Sequence, residues 1–582
     1  MAKKKQSIIE GALVLTLAMV IVKIIGAFYK LPMIAIIGVD GNGFYLTAYN
    51  IYTAIYSIAV TGFPVAVSKI VSGYVAEGRY KDVRRVVRVS TVSFFALGVV
   101  SSLGLALLAR PYVESIGNPL AIYCVLAVSP SLLFSCLMST HRGFNQGMKN
   151  MTPTAVSQVV EVLFKAAFGL GGAYLVKMQF VGEYAALGTV LGEVMPDAAA
   201  AEVMIASLAA AGSIFGVSMS TFAGWLFLVV RSWFTGDGIR RTQLVESPKP
   251  HSDKYLFKQI CRVVFPISLS AAAVSITGLI DGVSILGRLD LVIRTDLPAL
   301  YASHAGILEL AKKSAEALPN YLYGVYGLGT TLFSLVPSLT GSFGMSALPH
   351  VSAAWAAGDI NATKTNMQSV LRLTMLVAAP AGMGLSFLAG PIANLLYGGK
   401  NPVGARLVVP MLALLGVAAI FVAIVNPINA LLQAIGKYSV PVILMVIGGI
   451  IKLASNYFLV AVPQLNIKAA PMGNLLCFLF ITIVSIIVLS HITKIKFDIV
   501  GIFVKPMLAG ALTGAAAMLT YNIMSKYLPI SGKVVTVAAI AVAGIVYIIS
   551  LGILNALERE DVLGLPGGNK ICRILEKLRI LR

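Results

Sequence analysis

Acidic side chains are scarce in this chain. Of its 582 residues only 24 are Asp or Glu, against 45 Lys or Arg, and charged residues of both signs make up 12% of the whole. So little charge, with 58% hydrophobic residues and a mean hydropathy of +0.87, excludes a water-soluble globular core of this length. Cysteine is nearly absent too. Cys124, Cys136, Cys261, Cys477 and Cys572 are scattered, without the paired spacing of a metal site or a redox couple, and read as small residues of a membrane core. No G-x-x-x-x-G-K-[ST] run is present to hold a nucleotide. His304 has no partner motif beside it and reads as a solvated loop histidine. No catalytic residue, metal or cofactor is therefore assigned, and the chain is not read as an enzyme.

What the sequence has in abundance is long apolar runs. Fourteen segments of about 20 to 30 residues follow one another, beginning with 8–37 and 44–76 and ending with 499–525 and 533–557. A helix of about 20 residues crosses about 30 Å of hydrocarbon, and only helices or closed barrels satisfy their backbone groups there. The fold class expected is an all-α polytopic membrane protein of about 14 transmembrane helices. Basic residues fall in short loops on one side: Lys3 to Lys5; Arg79, Lys81, Arg84, Arg85 and Arg88; Arg231 to Arg262; Lys494 and Lys496. That asymmetry places both termini in the cytoplasm, and accounts for the net charge of +21 without nucleic acid. The basic start and first apolar run read as an uncleaved first helix, because further spans follow.

Segments two and eight each end with a Ser six residues before a Gly, at Ser72 and Gly78 and at Ser352 and Gly358. Lys149 with Pro153 opens segment five as Lys437 with Pro441 opens segment eleven. The offsets, 280 and 288 residues, point to two copies of a six-helix unit. Six crossings return the chain to the starting side, so the copies are parallel repeats, an arrangement that commonly holds substrate between the halves and alternates access to it. The expected division is an N-lobe at 1–234, a polar linker at 235–258, a C-lobe at 259–496, two added helices at 497–557 and a basic amphipathic tail at 558–582 suited to the anionic inner leaflet. Outer loops at 178–204 and 288–320 are expected to carry short surface helices, the second bearing Arg294, Asp296, Glu309, Lys312, Lys313 and Glu316.

Charges inside a membrane segment cost several kcal/mol unless they face a partner or a wet cavity. In segment one Lys23, Gly26 and Lys30 share a helical face with no acid between them, a cationic stripe; the alternative is that Lys30 snorkels outward while Lys23 pairs with an acid elsewhere. In segment five Gln158, Glu161 and Lys165 share a face, and Glu161 four residues before Lys165 is the favourable order for an ion pair, structural or switchable. Asp281 and Arg288 lie seven apart on segment seven. Lys452 and Asn456 share a face of segment eleven at the depth of Lys165. The balance of this set is positive, which favours an anionic cargo.

At the end of segment four the sequence reads HRGFNQGMKNMTPTAVSQVVE, with Arg142, Gly143, Gln146, Gly147, Pro153, Ser157, Gln158 and Glu161. This run resembles the stage V sporulation protein B and polysaccharide-biosynthesis branch of the multidrug/oligosaccharidyl-lipid/polysaccharide exporter superfamily. GFPVAVSKIVSGYVAEGR, ALPHVSAAWAAGD and LLQAIGKYSVP are similar to it as well, so the likeness covers essentially the whole chain. The resemblance implies two six-helix lobes in a V, two extra helices, and export of polyprenyl-diphosphate-linked saccharides. The related lipid II flippases keep an arginine-rich cavity. Lys23 stands where one of those arginines lies; Tyr29 and Tyr56 occupy places of others, and Gly43 falls where an Asp is usual, with Asp40 close by.

The reading is a flippase for a lipid-linked anionic saccharide, acting as a monomer among the lipids of a bacterial plasma membrane, with cell-wall synthesis proteins as candidate partners. Lys23, Lys30 and Arg142, with Lys165, Arg288, Lys452 and Asn456, are the substrate-binding candidates. Glu161, Asp281, Gln158 and Asp40 are assigned to gating or to coupling with Na+, H+ or the membrane potential. Lys23→Ala is expected to abolish transport and leave insertion intact. A cation-coupled drug antiporter of the same superfamily would hold an acid deep in segment one, where this chain has lysines. A membrane glycosyltransferase or polymerase would need an acid/base set in an outer loop, and Asp296, Glu309 and Glu316 form no distinguishing motif.

Overall fold

The computed structural model describes residues 8–303, 317–437, 439–557 and 572. His304, Glu309, Lys312, Lys313 and Glu316, and the tail apart from Cys572, lie outside the described residues. Twelve helical stretches among those described are long and apolar enough to cross a membrane, and the chain is a multi-pass membrane protein. The first stretch, Leu17–Ala76, runs from within the first expected segment, 8–37, to the end of the second, 44–76.

By packing, the chain forms two compact units, Met1–Leu286 and Gly287–Arg582, so the polar stretch 235–258 belongs to the first. The first unit opens with α1 (Ile8–Ala59), α2 (Gly62–Ala76) and α3 (Tyr80–Leu107). Short α4 (Ala109–Ser115) and α5 (Ile122–Val128) lead to α6 (Pro130–Gly147), α7 (Thr152–Leu187) and α8 (Ala198–Thr235). It ends with α9 (Arg241–Glu246) and the start of α10 (Asp253–Ser303). The second unit holds α11 (Leu318–Phe333), α12 (Leu335–Ala356), α13 (Ile360–Phe387), α14 (Ala389–Tyr397), α15 (Pro402–Ala434), α16 (Ser439–Leu459), α17 (Ala470–Thr493), α18 (Lys505–Tyr527) and α19 (Gly532–Ile553).

Two features of the first unit position the site. α1 is broken at Gly38, which has φ 75° and ψ −175°, a combination open only to glycine. The break frees backbone groups upstream, and Lys177 Nζ donates to the carbonyl of Ile36 at 2.6 Å. α7 and α8 then pack with almost no side chain between them. A Cβ on Gly172 would stand 2.6 Å from the Gly212 carbonyl oxygen, and one on Gly216 would stand 2.5 Å from the Gly169 nitrogen. Small residues at such crossings let membrane helices approach closely.

The loop expected to hold a short surface helix at 178–204 does not. α7 continues to Leu187 and ends on Gly188 in the left-handed region, a two-stranded hairpin (β1 Thr189–Val190, β2 Glu193–Val194) follows, and α8 starts behind Asp197. Glu183 accepts from Thr189 Oγ1 at 3.0 Å and from the Gly192 nitrogen at 2.9 Å, and Asp197 caps α8 through the Ala200 nitrogen at 2.7 Å. These local acceptors extend the two membrane helices in place of separate ones.

At the other end of the unit the stretch 235–258 is tied to the α2–α3 turn. Asp82, fully buried, accepts from Arg79 Nε at 2.8 Å and from the His251 nitrogen at 2.6 Å. The His251 ring stacks between Tyr74 and Tyr255. Lys81 Nζ donates to the Ser247 carbonyl at 2.8 Å, Arg84 pairs with Asp237 at 2.6 Å, and Arg85 pairs with Asp253. In the second unit a packed core runs through α12, α13 and α15 around Met375, Ile420 and Ile424.

Candidate substrate site

The centre of the first unit gathers lysines and tyrosines. Lys30 precedes the Gly38 break and Tyr45 follows it, yet Lys30 Nζ lies 4.5 Å from the centre of the Tyr45 ring. Fifteen residues of unbroken helix would separate them by about 22 Å, so the chain doubles back at Gly38. From α7, Lys165 Nζ lies 5.7 Å from the Tyr29 ring centre and 5.3 Å from that of Tyr49. Tyr29 is buried, and its hydroxyl shares a 3.0 Å hydrogen bond with Ser213 of α8. Its ring occupies space that Gly169 leaves open: a Cβ there would stand 2.5 Å from the hydroxyl.

Among the described residues neither Lys30 nor Lys165 has a carboxylate within 4.0 Å, and the two ammonium groups repel each other. Both side chains are half-buried. A cation over an aromatic face gains about 0.5–2 kcal/mol. Removing an ammonium from water costs several. Among the described residues the cluster thus holds two basic groups with no carboxylate partner for either.

The sequence pairs Glu161 with Lys165; the structure does not. Glu161 pairs with Arg142 of α6, whose Nε and Nη2 also donate to Ser157 Oγ at 3.0 and 2.9 Å. An exposed i,i+4 pair is worth only about 0.3–0.5 kcal/mol. The planar guanidinium bonds Ser157 and Glu161 together, which an ammonium does less well. Gly224 of α8 leaves the room that the Glu161 side chain fills. Gln158 Oε1 is buried beside this group, with no hydrogen-bond partner among the described residues. Arg142 is therefore an ion-pair member within the helix packing, and Lys165 is left to the tyrosines.

The other candidates lie apart. Lys23 is exposed, two turns before Lys30, so the expected stripe splits between an open and a half-buried position. Asp40 is buried just after the Gly38 break, and Asp281 is buried on α10. In the second unit the Arg288 guanidinium carbon lies 3.2 Å from the Tyr457 ring centre. Lys452 and Asn456 are buried on α16, where Gly473 of α17 makes room for both, so they sit in a helix interface. Sequence reading missed the tyrosines as a set. The signal was present: Tyr45, Tyr49, Tyr52 and Tyr56 recur at the 4-3-4 spacing of one helical face.

A family model described as polysaccharide biosynthesis protein matches residues 8–355, and one described as lipid II flippase MurJ matches residues 311–539. Lipid II flippase MurJ of Bacillus subtilis (strain 168) is 26% identical, over 96% of this chain and 98% of its own. Stage V sporulation protein B of the same organism is 21% identical, over 97% and 98%. A solved lipid II flippase MurJ in an inward closed conformation superposes with a TM-score of 0.59 at 13% identity, covering 93% of this chain and 98% of that one. An inward-facing multidrug resistance MATE family transporter of the MOP superfamily gives 0.54 at 14% identity, over 81% and 99%. The two structures share the fold.

Proposed function

We propose, from the premise that this chain belongs to the polysaccharide biosynthesis protein family, in the flippase branch of the MOP superfamily, that it carries a polyprenyl-diphosphate-linked saccharide from the inner to the outer leaflet. The observation that carries this reading is that Lys30 and Lys165 stand half-buried against tyrosine faces, with no carboxylate within 4.0 Å of either among the described residues. A diphosphate supplies the missing countercharge. Its release outward is assisted by the membrane potential, roughly 2.3 kcal/mol per charge per 100 mV, so nucleotide hydrolysis is not required. Both termini are placed in the cytoplasm, access alternates between leaflets, and the Arg142–Glu161 pair serves as a gate that opens when an anion competes for Arg142. Na+ or H+ coupling is assigned to the buried acids Asp40 and Asp281.

A cation-coupled drug antiporter is disfavoured by the same cluster, which repels a cationic cargo. The test is flipping of a fluorescent lipid-linked disaccharide in proteoliposomes. Wild-type protein should move it in the absence of nucleotide, and Lys30→Gln with Lys165→Gln should stop it. Movement of a cationic dye in place of the saccharide lipid would overturn the reading.

A further inference from the structure

Beyond its break, α1 turns four tyrosines to one side. Successive ring centres of Tyr45, Tyr49, Tyr52 and Tyr56 lie 5.7, 5.9 and 5.7 Å apart, so the rings form a continuous ladder. It rises about 16 Å along the helix, enough for more than one pyranose ring. Tyr45 and Tyr52 are buried rungs that pack into the unit, whereas Tyr49 and Tyr56 are half-buried. Neither the Tyr49 nor the Tyr56 hydroxyl is hydrogen-bonded to another described residue.

A stripe of rings serving only to fill a membrane core needs no hydroxyls, and Phe or Leu would fill it without bringing in a polar group that wants a partner. The upper end of the ladder lies under Lys30 and Lys165. The lower end, Tyr56, is within electrostatic reach of Arg142 and Glu161. Ammonium groups already stand over the Tyr45 and Tyr49 rings, so a second cation is repelled from this surface. What fits beside them is a neutral polyol: apolar C–H faces to lie on the rings, and hydroxyls to bond with the tyrosine oxygens.

We infer that Tyr49 and Tyr56 are the saccharide-recognising residues of the site, stacking on sugar rings whose diphosphate is held by Lys30 and Lys165. This rests on the lipid-linked saccharide reading above and deepens it. The cargo is thereby oriented, with diphosphate at the Gly38 end of the ladder and sugar running toward Arg142. It also gives the protein a reason to prefer a finished saccharide lipid over the bare carrier, which shares the same diphosphate.

The experiment measures binding of two probes to full-length protein in nanodiscs: a short polyprenyl diphosphate, and the same lipid bearing a disaccharide. Wild type should bind the glycosylated probe about tenfold more tightly, the scale of one good aromatic contact. Tyr49→Leu and Tyr56→Leu should each erase most of that ratio, and Tyr49→Phe and Tyr56→Phe should fall between, keeping the stacking and losing the hydroxyl's share. Equal weakening of both probes by the Leu variants, leaving the ratio intact, would mean a packing role and would overturn the inference. Equal affinity of wild type for both probes would overturn it while sparing the diphosphate reading. Failure of wild type to bind either probe would overturn the proposed function, and the inference with it.

Discussion

Lys30 and Tyr45 are neighbours in space because of a glycine that touches neither. The 4.5 Å between the ammonium and the ring exists only because α1 reverses at Gly38, where φ is 75° and ψ is −175°. Apart from the neighbouring backbone of α1, no described residue comes within 4 Å of where a Gly38 Cβ would stand, so a side chain there would meet backbone strain and no clash. Gly38→Ala should therefore cost about 1–3 kcal/mol, the usual cost of a non-glycine residue in that conformation. Gly26→Ala is the matched control: it also has open space around it, but lies in regular helix, where Ala is preferred by about 1 kcal/mol. Thermal unfolding in detergent should show Gly38→Ala melting lower than wild type and Gly26→Ala melting at or above it. Identical melting of the two variants would mean the reversal does not depend on glycine.

A second consequence concerns the lysines themselves. An unpaired cation held away from water weakens the empty protein while strengthening the grip on an anion. Lys30→Gln and Lys165→Gln should each weaken binding of a polyprenyl diphosphate by about tenfold or more, while leaving the melting temperature of the empty protein unchanged or raised. Lys23, exposed outside the cluster, should give a smaller loss as Lys23→Ala, in place of the abolition that the sequence alone suggests. Calorimetric titration with parallel melting curves separates the two effects. A fall in stability together with binding would assign the lysines to structure.

The contrast between Lys23 and Lys165 marks how far the sequence reaches. Apolar run length fixes the number of residues per crossing, and segments drawn at 8–37 and 44–76 bracket the Gly38 break without any structure. Charges in apolar runs are equally visible, which is why Lys30, Glu161 and Lys165 stood out. Which partner each charge takes is another matter. Arg142 and Glu161 are 19 residues apart on different helices, and their pairing depends on how α6 packs against α7, information that no periodicity contains. The tyrosine ladder was hidden for the opposite reason: in so hydrophobic a chain, aromatic residues at helical spacing look like any other core stripe.

The Arg142–Glu161 pair gives a third prediction. Side chains of the two are only 12% and 21% exposed, so removing one leaves the other charged in a poorly solvated place. Glu161→Gln or Arg142→Met alone should cost roughly 3 kcal/mol, and the double variant should recover a substantial part of that loss. Lys165→Met combined with Glu161→Gln should show no such recovery, because Lys165 is not the partner. A double-mutant cycle on unfolding free energy or melting temperature reads the coupling. Additive losses for Arg142 with Glu161 would refute the pair as an energetic unit.

The last prediction lies outside the membrane, where Asp82 fastens the stretch 235–258 to the α2–α3 turn. Asp82 is fully buried and its two oxygens serve Arg79 and the His251 backbone, so Asp82→Ala removes both anchors and leaves Arg79 without its carboxylate. The neighbouring Arg84–Asp237 and Arg85–Asp253 pairs are exposed, and ion pairs in contact with water hold far less than a buried carboxylate with two anchors. Asp82→Ala should therefore speed trypsin cleavage at Lys249 and Lys254 severalfold, whereas Arg84→Ala should change it little. The pH dependence has a definite sign. Hydrogen bonding from Arg85 holds the Asp253 carboxyl below its ordinary range, so the contact is present above the unfolded pKa of an aspartate and is lost only as pH falls through the lower folded value. Protection should thus be constant from about pH 8 to 5. Loss of protection already between pH 7 and 6, well above the carboxylate range, would overturn the assignment of this hold to carboxylates.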